Sequence, residues 1–299
     1  MKRAPALRRG DVVRVIAPAG PFEPEAFAKG LAVLARRGYV PMYGKGLFAR
    51  ARYLAGSDER RIAEWDEAVR DPEARAIIAA RGGFGTMRIL DRLDLAPLLR
   101  SPKVVVGFSD LTALHGLLAR RGLVSVHGPV VTQLGRLTRP AVTAFFRLLE
   151  SSAPPPPMTR LARVASGLGE GPLVGGNLTL LAHLSGTRYF PSLRGAVLLV
   201  EDVRETPYRL DRSFQTLRLA GTLEGLAGAV IGHLTECDDQ RVKGRIVLAE
   251  CFASLGVPVL AGVPVGHEAK NHAVPHGARV RVDAQARALT FLEGAVEPR

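Results

Sequence analysis

The sequence predicts an α/β protein with a parallel sheet covered on both faces. Short apolar runs recur at Val12–Ala17, Ala76–Ala80 and Lys103–Gly107. Segments with helical spacing alternate with them, and the runs end at glycine, proline or serine turns. Continuously apolar strands between amphipathic helices are the pattern of a sheet buried from both sides. The length of 299 residues leaves room for about two domains. Hydrophobic residues at 47% and charged residues at 23% exclude a disordered or collagen-like chain. No stretch approaches the ~18 to 20 apolar residues of a membrane helix, so no membrane partner is expected. The charged start, Met1 to Asp11, has no apolar core and does not read as a signal peptide. Cys237 and Cys251 sit in no ligand spacing, which argues against a disulfide scaffold and a zinc ribbon. The expected compartment is the cytoplasm.

The elements follow in order. Val12–Ala17 reads as a strand ending at Pro18-Ala19-Gly20-Pro21, and Glu23–Arg37 as a helix with Phe27, Leu31 and Leu34 on one face. Ser57 is placed to cap a helix that carries Asp58 and Glu59 in its first turn. Trp65, spaced with Ile62 and Val69, belongs to the core by periodicity. Next come the strand Ala76–Ala80, a glycine loop Arg81-Gly82-Gly83-Phe84-Gly85, and a helix over Thr86–Leu93. The strand Lys103–Gly107 breaks at Phe108-Ser109-Asp110 and leads into a helix with Leu111, Leu114, Leu117 and Leu118 on one face. Ser151–Pro157, with four successive prolines, can be neither helix nor central strand. The expected organisation is therefore residues 1–150, a linker at 151–170, and residues 171–299. Beyond the linker, Gly195–Glu201 and Leu226–Gly232 read as strands, and Arg279–Asp283 with Ala288–Glu293 as a terminal hairpin.

The net charge of +13 comes from 41 Lys and Arg against 28 Asp and Glu. The arginines are scattered, usually near acids, and aromatics are only 6%. A nucleic-acid binder would show a basic stripe with interleaved aromatics, so no nucleic-acid partner is expected.

The sharpest local signal is Gly107-Phe108-Ser109-Asp110, a buried strand running through Gly-x-Ser into a helix. That turn lifts a serine hydroxyl above a sheet, and the helix start offers free N–H groups to an oxyanion. The alternative is that Ser109 or Asp110 merely caps the helix. The loop Arg81–Gly85 can turn backbone N–H groups into a site or can be a plain tight turn. It is no dinucleotide fingerprint, because Arg88 stands where a third glycine should, and it lacks the Lys-Ser/Thr of a P-loop. No cofactor is expected.

A serine nucleophile needs a base, and the base needs an orienting carboxylate. His115 follows Ser109 inside the same helix and cannot fold back on it. His267 ends the apolar run Val263–Gly266, where α/β sites place working groups, though it could equally be an idle loop residue. His267 and His272 mimic a zinc HExxH one residue too long; positions i and i+5 lie ~140° apart on a helix, so no metal site is expected. Glu201 ends the strand from Val197, with Asp202 sent to the opposite face; Glu201 could instead pair with Arg204 or Arg209 at the surface.

Taken together, the sequence resembles the LD-carboxypeptidases, the muramoyltetrapeptide carboxypeptidases with the microcin C immunity proteins as a branch. The resemblance covers nearly the whole chain. It rests on Val15–Gly20, Arg81–Gly85, Gly107–Asp110, His127-Gly128-Pro129, Gly175–Leu178, Val200-Glu201-Asp202 and Gly266-His267. Phe84 stands where many members carry tyrosine. The resemblance implies a flavodoxin-like nucleophile domain joined to a smaller C-terminal α/β domain that brings Glu and His. It also implies nucleophile Ser109, base His267, Glu201 beside it, and an oxyanion hole from the N–H groups of Gly83 and Asp110. Homodimers are common in the family. Arg81, with Gly82 and Phe84, is the expected substrate-binding segment, and the expected substrate is a murein peptide. Alternatives are cleavage of a peptidyl-nucleotide antibiotic, or an inactive two-domain ligand-binding protein. On this reading the hydroxyl-to-imidazole contact, expected within about 4 Å, crosses the boundary between the two halves.

Overall fold

A computed structural model describes residues 1–299. Strand β1 (Ala4–Pro5) is followed by β2 (Val12–Ile16), the first long buried strand. Helix α1 (Pro24–Arg37) starts on a proline, which costs no hydrogen bond in a first turn. It stops at Gly38, whose φ of 101° lets its N–H reach the carbonyls of Leu34 and Ala35. The alternation continues through β3 (Val40–Met42), α2 (Asp58–Arg70), β4 (Ala74–Ala79), α3 (Ala96–Arg100), β5 (Val104–Gly107), α4 (Thr112–Arg120) and β6 (Ser125–His127). Ser57 caps α2, accepting from the Arg60 N–H at 3.2 Å. Trp65 is buried, with its indole N–H donating to the Asp94 carbonyl.

Strands β2 to β6 are mutually parallel in the spatial order β3-β2-β4-β5-β6. Numbered by their order along the chain these five are 2-1-3-4-5, the flavodoxin-like order. It reverses between β2 and β4, and ligands sit beyond the carboxyl ends of the strands at such a reversal. There the two strand ends meet: the Gly20 N–H donates to the Gly82 carbonyl at 3.1 Å.

The second half adds α5 (Val131–Leu134), α6 (Arg139–Glu150), β7 (Ala162–Ala165), β8 (Leu168–Asn177), α7 (Leu178–Leu184) and β9 (Val197–Val203). Then come α8 (Pro207–Leu219), β10 (Gly228–Thr235), α9 (Gly244–Ala253), β11 (Val259–Ala261), β12 (Val274–His276), β13 (Arg279–Asp283), β14 (Ala288–Phe291) and β15 (Val296–Glu297). A seven-stranded sheet runs β14-β13-β8-β9-β10-β11-β7, parallel from β8 to β11 and antiparallel at its edges. The terminal hairpin is β13–β14.

Several expectations are corrected. Residues 151–170 carry β7 and the start of β8, so structure resumes soon after the four prolines. Strand β12 crosses back to pair antiparallel with β6, and β15 pairs with β1, so the chain's end is stitched into the first sheet and the N-terminus. Thr86–Leu93 is not one helix but two 3-10 turns, Thr86–Arg88 and Leu90–Arg92. A run this short gains little from helical cooperativity, and burial of Thr86, Ile89 and Leu90 sets its backbone instead. Val263–Val265 is a buried loop rather than a strand. Gly262, at φ 86°, ends β11, Pro264 can donate no ladder bond, and the loop binds β10 through the Ile231 carbonyl and the His233 N–H.

The largest core cluster runs without a break from Ile16, Trp65 and Leu114 of the first half to Leu181, Val200, Phe214 and Phe252 of the second. Helix α4 lies inside it. Seven consecutive residues, Thr112 to Leu118, are buried, so the helix is covered nearly all round and not on one face.

Beside α4 lie three buried imidazoles. His115 donates from Nε2 to the Gly107 carbonyl at 3.0 Å and accepts at Nδ1 from the Ser125 hydroxyl at 2.8 Å. His276 Nε2 accepts from the Gly175 N–H at 3.0 Å. His127 is fully enclosed beside them. Burial pushes His115 down to about 4, and His127 and His276 well below the ordinary histidine value. All three are neutral in the fold at neutral pH. The unfolded chain therefore takes up more protons once pH falls below about 6.5, and stability is lost as pH drops from there toward about 4. Burial raises Glu201, Asp110 and Glu64, whose contributions run the other way, while His233 and His272 are also lowered by burial and add to the loss. Urea unfolding at pH 7.5, 6.0 and 5.0 should give a falling midpoint, each pH unit costing up to about 1.4 kcal/mol per histidine. A midpoint independent of pH across this window would contradict the neutral assignment.

Candidate active site

Ser109 sits where β5 gives way to α4. Its φ of 61° is unusual for a non-glycine residue, and that strain is what turns the side chain up out of the sheet. Gly107 makes the turn possible: a Cβ there would lie 2.6 Å from Leu111 Cβ. Neither Ser109 nor Asp110 caps α4. The Asp110 carboxylate, fully buried, instead accepts from the Thr86 N–H at 2.8 Å and ties the serine turn to the glycine loop. Burial raises its pKa, and its hydrogen bonds to Thr86 oppose the rise.

The glycine loop packs directly on the serine. A Cβ on Gly82 would stand 3.0 Å from Ser109 Cβ and 3.1 Å from the Phe108 carbonyl. Gly83 takes φ 108°, and its N–H donates to no protein acceptor. Phe84 lies between two left-handed glycines, which turn it outward against Tyr53 at 5.9 Å; it does not line the cleft, contrary to expectation. Arg81 does line the cleft, with its guanidinium donating to the Pro21 carbonyl.

From the second sheet, Glu201 in β9 and His267 in the loop after β11 meet this turn. His267 Nε2 lies 3.1 Å from Ser109 Oγ, and Nδ1 lies 2.8 Å from Glu201 Oε2. Glu201 is completely enclosed. Burial pushes its pKa up, and the hydrogen bond and charge of His267 pull it back. Asp202 faces the other way: it accepts from the Asn177 amide at 2.8 Å and from both the N–H and hydroxyl of Thr179. Arg204 and Arg209 pair with Glu236 and Glu205, not with Glu201.

Three supports are not apparent from the sequence. Phe108 lies against the His267 ring at 4.4 Å between centroids and walls one side of it. Asn271, buried, accepts from the Gly266 N–H at 3.1 Å and pins the loop that carries His267. Gly232 lets β10 approach: a Cβ there would meet the Val265 carbonyl at 2.4 Å and Glu201 Cβ at 3.3 Å. Phe108 and Asn271 are signalled only by nearness in sequence to Ser109 and His267, and Gly232 by nothing beyond its place in a strand.

The assembled group opens into a cleft of about 730 Å³ that also reaches Gln133, Arg136, Arg204 and Glu236. A hydroxyl bonded to an imidazole, itself bonded to a buried carboxylate, can pass a proton from oxygen to nitrogen and hold the resulting charge.

The N-terminal domain model of the LD-carboxypeptidases matches residues 13–128, and the C-terminal domain model matches residues 170–282. The chain belongs to the LD-carboxypeptidase family. A murein tetrapeptide carboxypeptidase of Pseudomonas aeruginosa is 34% identical over 292 residues, covering 89% of this chain and 91% of that one. The microcin C7 self-immunity protein MccF of Escherichia coli is 25% identical over 328 residues, covering 97% and 95%. Among solved structures, a muramoyltetrapeptide carboxypeptidase from Oxalobacter formigenes superposes with a TM-score of 0.84 at 31% identity, over 96% of this chain and all of that one. The two-domain fold of this LD-carboxypeptidase is that of the family.

Gly82→Ala tests how tightly the two loops fit. Gly82 is not in the left-handed region, so alanine suits the backbone, and the nearest atoms the added methyl meets belong to Ser109 and Phe108. Displacing the hydroxyl by a few tenths of an ångström should lower turnover on the order of 10-fold while the melting temperature moves little. Unchanged turnover in a variant that melts like wild type would show that the contact is slack.

Proposed function

We propose that this protein is a serine-type carboxypeptidase that hydrolyses an L,D peptide bond and releases terminal D-Ala from murein tetrapeptide, where D-Ala follows meso-diaminopimelate. The single observation that carries the reading is the unbroken chain from Ser109 Oγ through His267 to Glu201, at 3.1 and 2.8 Å. In this reading Ser109 attacks the carbonyl carbon of diaminopimelate while His267 takes its proton at Nε2. Glu201 fixes the ring by accepting from Nδ1 and stabilises the imidazolium that forms. The N–H groups of Gly83 and Asp110 are the proposed oxyanion donors, each worth about 3 to 4 kcal/mol in comparable sites. His267 then returns the proton to the departing D-Ala amine, and water hydrolyses the acyl-enzyme by the same base. Arg81 and Arg136 line the cleft without an ion-pair partner and are candidates for the D-Ala carboxylate. A cytoplasmic location and a homodimer complete the reading; the dimer rests on the family resemblance.

The microcin branch keeps a second reading in play, cleavage of a peptidyl-nucleotide. Such a substrate wants an aromatic face for its base, and Phe108, already covered by His267, is the one Phe, Tyr or Trp that lines this cleft. The murein reading is therefore preferred.

Ser109→Ala should lower D-Ala release by at least about 10⁴-fold with the melting temperature essentially kept, since Ser109 lies in a turn outside the core. Liberated D-Ala from purified murein tetrapeptide, measured by mass spectrometry, is the readout. A mutant that retains a substantial share of turnover would remove Ser109 from the nucleophile's place. Pre-incubation with EDTA should leave the wild-type rate unchanged. Loss of activity that zinc restores would reverse the metal-free reading.

A further inference from the structure

Six non-glycine residues of the chain have positive φ, and three of them line the cleft: Ser109, Arg204 at 60° and Glu236 at 55°. Arg204 directly follows β9, and Glu236 directly follows β10, so the two stand side by side where neighbouring strands end. The Arg204 N–H donates to the Thr235 carbonyl at 2.9 Å, which locks the two strand ends together. The side chains then form an ion pair, Arg204 Nε to Glu236 Oε2 at 2.8 Å, with 77% and 62% of their surfaces exposed.

This arrangement does little for stability. An exposed pair contributes about 0 to 1 kcal/mol, and a non-glycine residue in a sparsely populated backbone region costs on the order of 1 kcal/mol or more. Neither residue has the short side chain that eases this conformation. What the backbone achieves is to hold one positive and one negative group together on the wall of the cleft that Ser109 and His267 open into. Arg81 and Arg136 also line the cleft and pair with no carboxylate of the protein, and Glu268, the cleft's other acid, pairs with no arginine or lysine.

A tetrapeptide ending in diaminopimelate and D-Ala brings two charged features near the scissile bond. One is the lone carboxylate of D-Ala. The other is the far end of the diaminopimelate side chain, which carries an ammonium and a carboxylate on one carbon. The lone carboxylate matches the lone cations. We propose that the Arg204–Glu236 pair is the subsite for the zwitterionic end of diaminopimelate, with Arg204 taking the carboxylate and Glu236 the ammonium. The proposal rests on the carboxypeptidase reading above. Opening the exposed pair costs little, and each half regains a charge-assisted hydrogen bond to the substrate. A lysine at the same peptide position would satisfy Glu236 alone and leave Arg204 without its partner.

The test uses two murein tetrapeptides that differ only at the third residue, meso-diaminopimelate in one and L-lysine in the other. The readout is kcat/KM for D-Ala release, with kcat and KM separated. Wild type should prefer the diaminopimelate peptide by roughly 10-fold or more. Arg204→Ala should bring the ratio between the peptides close to one, chiefly by raising KM for the diaminopimelate peptide, and Arg204→Lys should restore part of it. Glu236→Gln should raise KM for both peptides, because both carry the ammonium. Wild type that is active on both peptides without preference, or an Arg204→Ala ratio equal to wild type, overturns the subsite and leaves the carboxypeptidase reading standing. Wild type inactive on both peptides overturns that reading and the subsite with it.

Discussion

A hydroxyl carried by one sheet must meet an imidazole carried by another within hydrogen-bonding distance, and most of the fold follows from that requirement. Ser109 follows β5 in the sheet of β2 to β6, while Glu201 lies in β9 and His267 in the loop after β11 of the sheet built on β8 to β11. Two sheets joined by a flexible connection would drift by more than the few tenths of an ångström such a contact tolerates. Here the core runs through the boundary. Helix α4 begins three residues after Ser109 and is buried from Thr112 to Leu118, with the Thr112 hydroxyl accepting from the Asn177 N–H at 3.0 Å and Gly116 lying against Pro191. Asn177 ends β8 beside Glu201 on β9. The path from the Ser109 hydroxyl to the Glu201 carboxylate is thus a few packed residues long, and the return of β12 to the first sheet fastens the far side.

Close approach at the site comes from leaving atoms out. Gly82, Gly107, Gly232 and Gly266 each stand where a Cβ would strike the serine turn, Leu111, the Val265 carbonyl or His233. Their absence of side chain lets three loops and a strand converge on one hydroxyl. Ser109 itself bears the unfavourable backbone angle that aims it. A strained residue persists only where its surroundings over-determine it. The Asp110 carboxylate bound to the Thr86 N–H supplies that on one side, and the Phe108 ring against His267 supplies it on the other.

Much of this is legible in the amino-acid sequence. Buried strands are written as mostly apolar runs, which locates β2, β4, β5, β9 and β10, and the alternation in Arg279–Asp283 and Ala288–Glu293 marks the hairpin. The convergence of Ser109, Glu201 and His267 is readable because each follows or ends an apolar run, where α/β folds form their clefts. What the sequence hides depends on contacts distant along the chain. Thr86–Leu93 has helical spacing, yet its first N–H is claimed by Asp110, 24 residues on. The pairing of β12 with β6 joins residues more than 140 positions apart, and a three-residue strand carries no periodicity to announce it. Phe84 reads as a site residue because it sits in a site motif; only the φ values of its flanking glycines reveal that it faces out.

The same geometry explains how a basic protein manages a buried acid. Most of the excess arginine charge lies at the surface or against carbonyls, and the interior behind Ser109 is nearly free of charge, with three neutral imidazoles filling it. The exceptions are three buried carboxylates: Asp110, held by the Thr86 N–H, Asp202, held by Asn177 and Thr179, and Glu201, held by His267. A carboxylate removed from water needs a partner close at hand, and without one it takes up a proton instead. Glu201 Oε1 has no hydrogen-bond partner, so the bond from His267 Nδ1 to Oε2 carries most of the compensation. The dependence is mutual. The carboxylate selects the tautomer with the proton on Nδ1, which leaves Nε2 free to accept from Ser109. Burial raises the energy of the unpaired carboxylate and thereby strengthens its hold on the imidazole, so the enclosure that threatens Glu201 is also what orients His267.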